Sequence, residues 1–518
     1  MTIFLKNIFY LLYLYKHHIF HIIFHDLFTD LCYSFRYKKE RINFMKVLRI
    51  LKYLFIIVFI VALYIFMGIV LAYGKHPEVS TTTLSHVDPT RFDDTPSTPE
   101  RATILEHNSD ALFERIRLIH NAQSSIILST FSFQSDESGS LILAALLDAA
   151  NRGVQVNILA DGFNSWVYME GNPYFYALSS HEHIHIKTYN RVNPLLPWKM
   201  MGRMHDKYLI VDNQQYILGG RNTYNYFLGD YEGHKNYDRD VLVVCDTPTV
   251  ENSVADLLEY FHAIWNSEYT QDFHNVSKLQ QRKTVKDATL DLYNLYEDYS
   301  TLHITKLSDT DYLDETYETT NINLLANPIH TGVKEPLLWY ELNTLMENAT
   351  EQVRIHTPYI ICNNMMYDSF AKVSDNVSDF SIMTNSVANN GNPFGAADLA
   401  ENKDDILDTG IQLLEYEGGY SYHAKSMLID EDISVIGSFN MDMRSTYLNT
   451  ELMLVIESPE INKQLSTHLD NHEEFTVEAL PDGTYHNPNN VAQVSLTPKR
   501  EKNLYLVQNF LLWLRFLF

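Results

Sequence analysis

Positive charge is scarce in this chain: 39 lysines and arginines stand against 65 aspartates and glutamates over 518 residues, a formal net charge of −26. Nucleic-acid affinity comes mainly from Lys and Arg on phosphates, so a DNA- or RNA-binding role is disfavoured. Attachment to an anionic leaflet by a basic patch is disfavoured on the same ground. Cysteine is scarce as well. Cys32, Cys245 and Cys362 lack metal-site spacing, and the last two end apolar strands, which predicts buried thiols rather than a disulfide. His181, His183 and His185 alternate as on one strand face but lead into Ile186-Lys-Thr-Tyr, and they read as a sheet edge in preference to a metal site. The sequons at Asn275, Asn348 and Asn376 carry no argument.

Charge of either sign is missing from Leu54 to Tyr73. Twenty residues at about 1.5 Å rise reach about 30 Å, the thickness of a bilayer core. No Ala-x-Ala site follows the run, which favours an anchor over a cleaved signal peptide. Arg36, Lys38, Lys39, Arg41, Lys46, Arg49 and Lys52 precede it and only Lys75 follows closely, so the amino flank is expected in the cytoplasm and the remainder outside. Residues 1–44 are aromatic and aliphatic and read either as a second membrane segment or as an over-extended start before Met45-Lys-Val-Leu-Arg. The stretch from Pro77 to Pro99 is rich in Thr, Ser, Pro and Asp and reads as a tether. Leu504 to Phe518 reads as an interfacial helix, with a packed terminal helix as the alternative.

What is present twice is a site. His205-Asp-Lys207 with Asp212, then Gly219-Gly-Arg-Asn222, is echoed by His423-Ala-Lys425 with Asp430, then Gly437-Ser-Phe-Asn440. A phosphate diester repels nucleophiles and has a poor leaving group. Two imidazoles meet both difficulties: one attacks phosphorus and forms a covalent intermediate, while the other protonates the departing oxygen and later deprotonates the acceptor. Lys207 and Lys425, two residues beyond each His, share its strand face. With the amides of Asn222 and Asn440 they would hold the non-bridging oxygens. The scheme needs no metal or other cofactor. Asp240 and Glu451, each at the mouth of a further apolar strand, are expected to bond a ring nitrogen and fix its tautomer.

The segments Gly202-Arg-Met-His-Asp-Lys207, Tyr237-Asp-Arg-Asp-Val241, Ile436-Gly-Ser-Phe-Asn-Met-Asp442 and Arg444-Ser-Thr-Tyr-Leu-Asn-Thr-Glu451 resemble the phospholipase D superfamily, and within it the bacterial cardiolipin synthases. The likeness runs from about Ala102 to Val477. It implies that one motif histidine, commonly the first, becomes a phosphohistidine, here His205, with His423 as acid and base. Asp212 and Asp430 complete the site set in a structural role near the turn.

Helix-then-strand order recurs at Leu112–Phe133 and Leu337–Cys362, and helices alternating with buried strands argue for an α/β sheet in each half. The expected architecture is two homologous lobes about a pseudo-twofold, with mixed sheets flanked by helices. Residues 1–53 form the N-terminal segment, 54–73 the anchor, 74–100 a linker, 101–280 the first lobe, 281–323 an acidic insertion, 324–480 the second lobe and 481–518 a tail. The expected activity is membrane-anchored phosphatidyl transfer from phosphatidylglycerol or another phospholipid, giving cardiolipin. Hydrolysis by the same residues, an inactive scaffold and a secreted nuclease stand as alternatives, and the sequence names no accessory subunit.

Overall fold

The computed structural model describes residues 38–85, 100–245 and 252–518, with side chains described from Lys46 onward. The expectations for residues 1–37 and for most of the tether, 86–99, therefore fall outside the described residues. The chain divides after Met67 into two compact units, and the second, Gly68–Phe518, holds both lobes. The apolar run lies in one continuous helix, Lys38–Tyr73, whose Lys46–Tyr73 portion is long and apolar enough to cross a membrane.

Each lobe is built on a nine-stranded mixed sheet. The first runs Tyr317–Glu318, Arg101–Leu105, Asp240–Val244, Gln215–Gly219, Tyr208–Val211, Ser125–Thr130, Gln155–Asp161, Ile184–Tyr189, Thr270–Asp272. The second runs Asn321–Ala326, Leu452–Glu457, Ile433–Gly437, Ser426–Ile429, Gln352–His356, Asp379–Asn385, Gln412–Tyr416, Thr476–Ala479, Tyr485–His486. From Arg101–Leu105 and Asn321–Ala326 onward the two orders match over eight strands, and Tyr485–His486 is added at the far edge of the second. The directions match too: Ser125–Thr130 and Gln352–His356 each pair antiparallel on one side and parallel on the other.

The strands read as unbroken apolar runs because both sheet faces are covered. Leu209 and Val211 point into the first lobe's outer core, whereas Tyr208 and Ile210 point into a core shared by the lobes. Met427 and Ile429 face the second lobe's outer core, and Leu428 the shared one. Period-two alternation thus sorts one strand into two layers. The helices Ser253–Trp265 and Pro459–Glu473 contribute Val254, Leu257, Phe261, Ile461 and Leu465 to the shared core, which holds the lobes together.

The two-lobed α/β architecture is as expected, with local differences. The segment 281–323 is not a separate insertion: helix Lys283–Leu307 buries Val285, Leu292 and Tyr296 in the first lobe's outer core, and Tyr317–Glu318 adds an edge strand. The second sheet begins at Asn321, before the expected boundary at residue 324. The described start of the tether is fastened, since Glu335 accepts bonds from Ser80 N and Thr83 Oγ1 at 3.1 and 2.5 Å. In the tail, Leu517 is buried and Phe518 stacks on Phe394, while Arg515 forms a two-pronged ion pair with Asp398. Its other side leaves Tyr505, Leu506, Phe510, Leu511 and Trp513 exposed. The thiols of Cys245 and Cys362 are buried in different lobes. His183 ends the turn that precedes the strand Ile184–Tyr189, and its Nδ1 lies 2.8 Å from Gln155 Nε2.

Candidate active site

His205 and His423 sit just before the strands Tyr208–Val211 and Ser426–Ile429, where the chain of each lobe reaches across to the other. Met204 bridges in parallel to Thr450, and Tyr422 pairs in parallel with Tyr237. His205 N donates to Thr450 O at 3.2 Å and His423 N to Tyr237 O at 2.6 Å. The next residue on each partner segment is a carboxylate. Glu451 Oε2 lies 2.9 Å from His205 Nδ1, and Asp238 Oδ2 lies 2.6 Å from His423 Nδ1. Each ring is thereby held by the opposite lobe, and with Nδ1–H given to a carboxylate, Nε2 bears the lone pair in the neutral ring and the second proton in the imidazolium.

The expected partner Asp240 is elsewhere. It already stands in the ladder opposite Gly219, on the outer sheet face, where Arg115 Nη2 at 2.9 Å and Arg221 Nη1 at 3.2 Å hold it. Register shows why: Gly219 pairs with Asp240 and Gly437 with Met453, so the counterpart of Glu451 is Asp238. The apolar run begins at Val241 in one lobe but at Leu452 in the other, and matching the run starts shifts the carboxylate by two residues.

The glycines of the motif are explained by the same neighbours. A Cβ at Gly219 or Gly437 would overlap the adjacent strand's backbone. At Gly220 it would overlap Asp238, with Cγ 2.8 Å away. Ser438 replaces Gly220 in the second lobe, and its hydroxyl donates to Glu451 at 2.6 Å. Ser445 Oγ and Asn449 Nδ2 also donate to Glu451, at 2.8 and 3.2 Å.

Lys207 and Lys425 are buried and each donates to the carbonyl of its own motif histidine. Lys425 Nζ is also 2.6 Å from His423 Nδ1, but that ring nitrogen gives its proton to Asp238, the stronger acceptor. Phe131 packs edge-to-face with the His205 ring and Phe227 with the His423 ring, with centroids 5.0 and 4.9 Å apart. Asn222 accepts from Ser132 N at 3.3 Å, and Asn440 Nδ2 donates to Tyr359 at 3.2 Å. Asp212 and Asp430 lie away from the rings, each at positive φ: Asp212 accepts from the backbone of Gln123, Ser124 and Ser125, and Asp430 from that of Thr350, Glu351 and Gln352.

Burial dominates the electrostatics. It pushes His205 well below the ordinary imidazole range, and the charges of Lys207 and Lys425 push the same way. His423 is lowered to about 4 by burial and Lys425, against the pull of Asp238. Lys207 falls to about 7 and Lys425 to about 8, chiefly by desolvation. Burial also raises Glu451, outweighing Lys207 and its three donors. Asp238 differs: Lys425 and His423 overcome desolvation and hold it at about 2. The first lobe's lysine acts on the second lobe's histidine and the reverse, so the two motifs share one electrostatic site. Asp238, Ser438, Ser445, Phe131 and Phe227 join the site beyond the residues that the repeated motif marks. Asp238 is marked by the pairing of Gly219 with Asp240 and of Gly437 with Met453, which the sequence does not display. Among the described residues no cluster of His, Cys, Asp or Glu is arranged as a metal site.

The family model described as cardiolipin synthase, phospholipase D-like domain, matches twice, at residues 115–265 and 342–472. An uncharacterized protein of Helicobacter pylori is 28% identical over 414 residues, covering 72% of this chain and 79% of that one. Cardiolipin synthase C of Escherichia coli is 27% identical over 396 residues, covering 68% of this chain and 80% of that one. The crystal structure of phosphatidylserine synthase from Haemophilus influenzae superposes with a TM-score of 0.57 at 14% identity, covering 80% of this chain and 95% of that one, a likeness of fold. The doubled match covers more than half of the sequence and falls on both lobes, and the chain belongs to the phospholipase D superfamily, in the cardiolipin synthase-like domain family.

Proposed function

We propose that the protein is a membrane-anchored phosphatidyl transferase that makes cardiolipin from phosphatidylglycerol, or from another phospholipid donor, through a phosphohistidine at His205. His205 Nε2 attacks phosphorus, and the P–O bond to the head-group alcohol breaks as His423, entering the step as the imidazolium favoured by Asp238 and the bound anionic phosphodiester, gives that oxygen its Nε2 proton. His423 then takes the proton of an acceptor hydroxyl. The acceptor oxygen displaces His205 from phosphorus, which restores both rings.

The observation that carries this reading is the crossed pair of ring–carboxylate bonds, His205 to Glu451 and His423 to Asp238. The division of roles follows from their inequality. Asp238 is firmly ionised and pulls His423 toward the imidazolium against the burial and the Lys425 charge that lower it, as an acid–base group needs. Glu451 spreads its charge over Ser438, Ser445 and Asn449, which favours a neutral, nucleophilic His205. Lys207, Lys425, Asn222 and Asn440 take the phosphoryl oxygens. The relatives' names point to a phospholipid substrate, and the charge balance argues against nucleic acid. The helix Lys46–Tyr73 supplies the attachment, with the lobes on the extracytoplasmic side.

Purified full-length protein incubated with labelled phosphatidylglycerol tests the reading. Cardiolipin plus glycerol is expected. Phosphatidic acid instead makes the protein a hydrolytic phospholipase D, and no turnover makes it a scaffold. A topology reporter fused after Phe518 should read extracytoplasmic.

A further inference from the structure

Between the strand Ile184–Tyr189 and the first motif runs Val192-Asn-Pro-Leu-Leu-Pro-Trp-Lys-Met-Met201, a loop dominated by apolar residues. Leu195 is 75% exposed and Trp198 is 44% exposed, with Lys199 beside them. An apolar loop turned outward is normally soft, yet this one is fixed. Asn190 Nδ2 donates to the carbonyls of Lys199 and Gly202 at 2.6 and 2.7 Å. Leu195 N donates to Asn193 Oδ1 at 3.0 Å, and Lys199 N to Leu196 O at 2.9 Å.

What it is fixed to decides its role. Pro197 is buried against Gly68 of the long apolar helix, so closely that a Cβ there would meet Pro197 Cβ at 2.9 Å. The hydroxyl of Tyr73, at the end of the same helix, lies 2.8 Å from Trp198 O and 2.9 Å from Thr331 O. The uncharged helical stretch from Tyr53 to Tyr73 measures about 31 Å, the full thickness of a hydrocarbon core of about 30 Å, so its vertical position has little slack. Gly68, five residues before Tyr73, lies about 7 Å inside that end. A loop that touches the helix there lies at the depth where acyl chains begin, and aromatic and basic side chains suit that boundary.

We propose that residues 193–199 form a preformed wedge in the leaflet beside the active site, with Leu195 and Trp198 among the upper acyl chains and Lys199 at the phosphates. The loop continues directly into Gly202-Arg-Met-His205, so a lipid lifted at the wedge meets the catalytic motif without leaving the protein surface. This rests on the membrane-spanning reading of the helix and names how the phospholipid reaches the site.

The test uses the full chain with Cys32 replaced by serine, Cys245 and Cys362 being buried. A fluorophore on Leu195→Cys should be strongly quenched in phosphatidylglycerol–phosphatidylcholine vesicles carrying brominated acyl chains. The same label on Leu313→Cys, an exposed residue of the segment after helix Lys283–Leu307, should not be. Absence of quenching at residue 195 overturns the wedge, whatever the turnover. Quenching without turnover keeps the wedge and removes the catalytic reading. In the second arm, Leu195→Asp with Trp198→Asp should lower turnover of vesicle phosphatidylglycerol about tenfold or more, while leaving turnover of a monomeric short-chain phosphatidylglycerol unchanged. Equal loss on both substrates, or loss on neither, also overturns it.

Discussion

Asp238 Oδ2 lies 2.6 Å from His423 Nδ1, although the two residues belong to different lobes. Asp238→Asn keeps the shape and removes the charge, so kcat should fall by about 10²–10⁴-fold, the cost of a lost orienting carboxylate. Asp240→Asn is the contrasting change. It leaves the buried Arg115 and Arg221 without their counter-charge and should destabilise the fold by about 3–5 kcal/mol. The folded Asp240→Asn enzyme should nevertheless keep most of its kcat. Comparing kcat and Tm of the two variants checks the assignment, and the opposite pattern would return the role to Asp240.

Gly220 is the place where this carboxylate was given room. A Cβ there overlaps Asp238, so Gly220→Ala must push the carboxylate away from the ring. Misplacement by about 1 Å costs on the order of 10²-fold in rate, and the loss should appear in kcat rather than KM. A variant with unaltered kcat would show that the Asp238–His423 contact is dispensable.

Much of this site is legible in the sequence, because a histidine and a lysine that serve one phosphate must share a strand face and therefore stand two residues apart. His205, Lys207 and their counterparts follow from that rule, and Asn222 and Asn440 from the repeated Gly-x-x-Asn at the same offset. The orienting carboxylate does not, since it comes from the other lobe. The stretch from Asn222 to Asp238 is longer than that from Asn440 to Glu451, so spacing offers no guide. Pairing across the sheet, Gly219 with Asp240 and Gly437 with Met453, supplies the register that the apolar runs disguise. Helix Lys283–Leu307 was obscured for another reason. Val285, Ala288, Leu292, Tyr296 and Leu307 are buried, but Leu290, Leu295, Leu302 and Ile304 of the same helix stay exposed, so apolar periodicity alone does not mark its inner face.

Asp212 and Asp430 should affect stability and leave the chemistry alone. Each accepts three consecutive backbone N–H groups at the start of a neighbouring strand, and these bonds hold its carboxyl below the usual range despite partial burial. A lowered carboxylate contributes stability above its unfolded pKa and loses it as pH falls through the folded value. Asp212→Asn should therefore lower stability by about 1–3 kcal/mol at pH 7, and the deficit should shrink as the pH drops below about 4. Tm measured across that range checks it. A fall in kcat of the folded variant would instead bring Asp212 into the reaction.

Activity and stability should part company on the alkaline side. Lys207 and Lys425 hold phosphoryl oxygens only while protonated, and burial lowers them to about 7 and about 8. In the free enzyme kcat/KM should therefore decline as pH rises through that interval, well before an ordinary lysine titrates at about 10.4. The folded state releases these protons earlier than the unfolded chain, so between the folded and unfolded values the unfolded state binds more protons and stability rises with pH. The buried tyrosines, Tyr208 and Tyr216 among them, are raised by burial and reverse that trend only above their unfolded value of about 10. Between about pH 7 and 9 kcat/KM should thus fall while Tm holds or climbs. A parallel fall in both would mean that the enzyme is unfolding, and flat kcat/KM to pH 9 would remove the two lysines from phosphate binding.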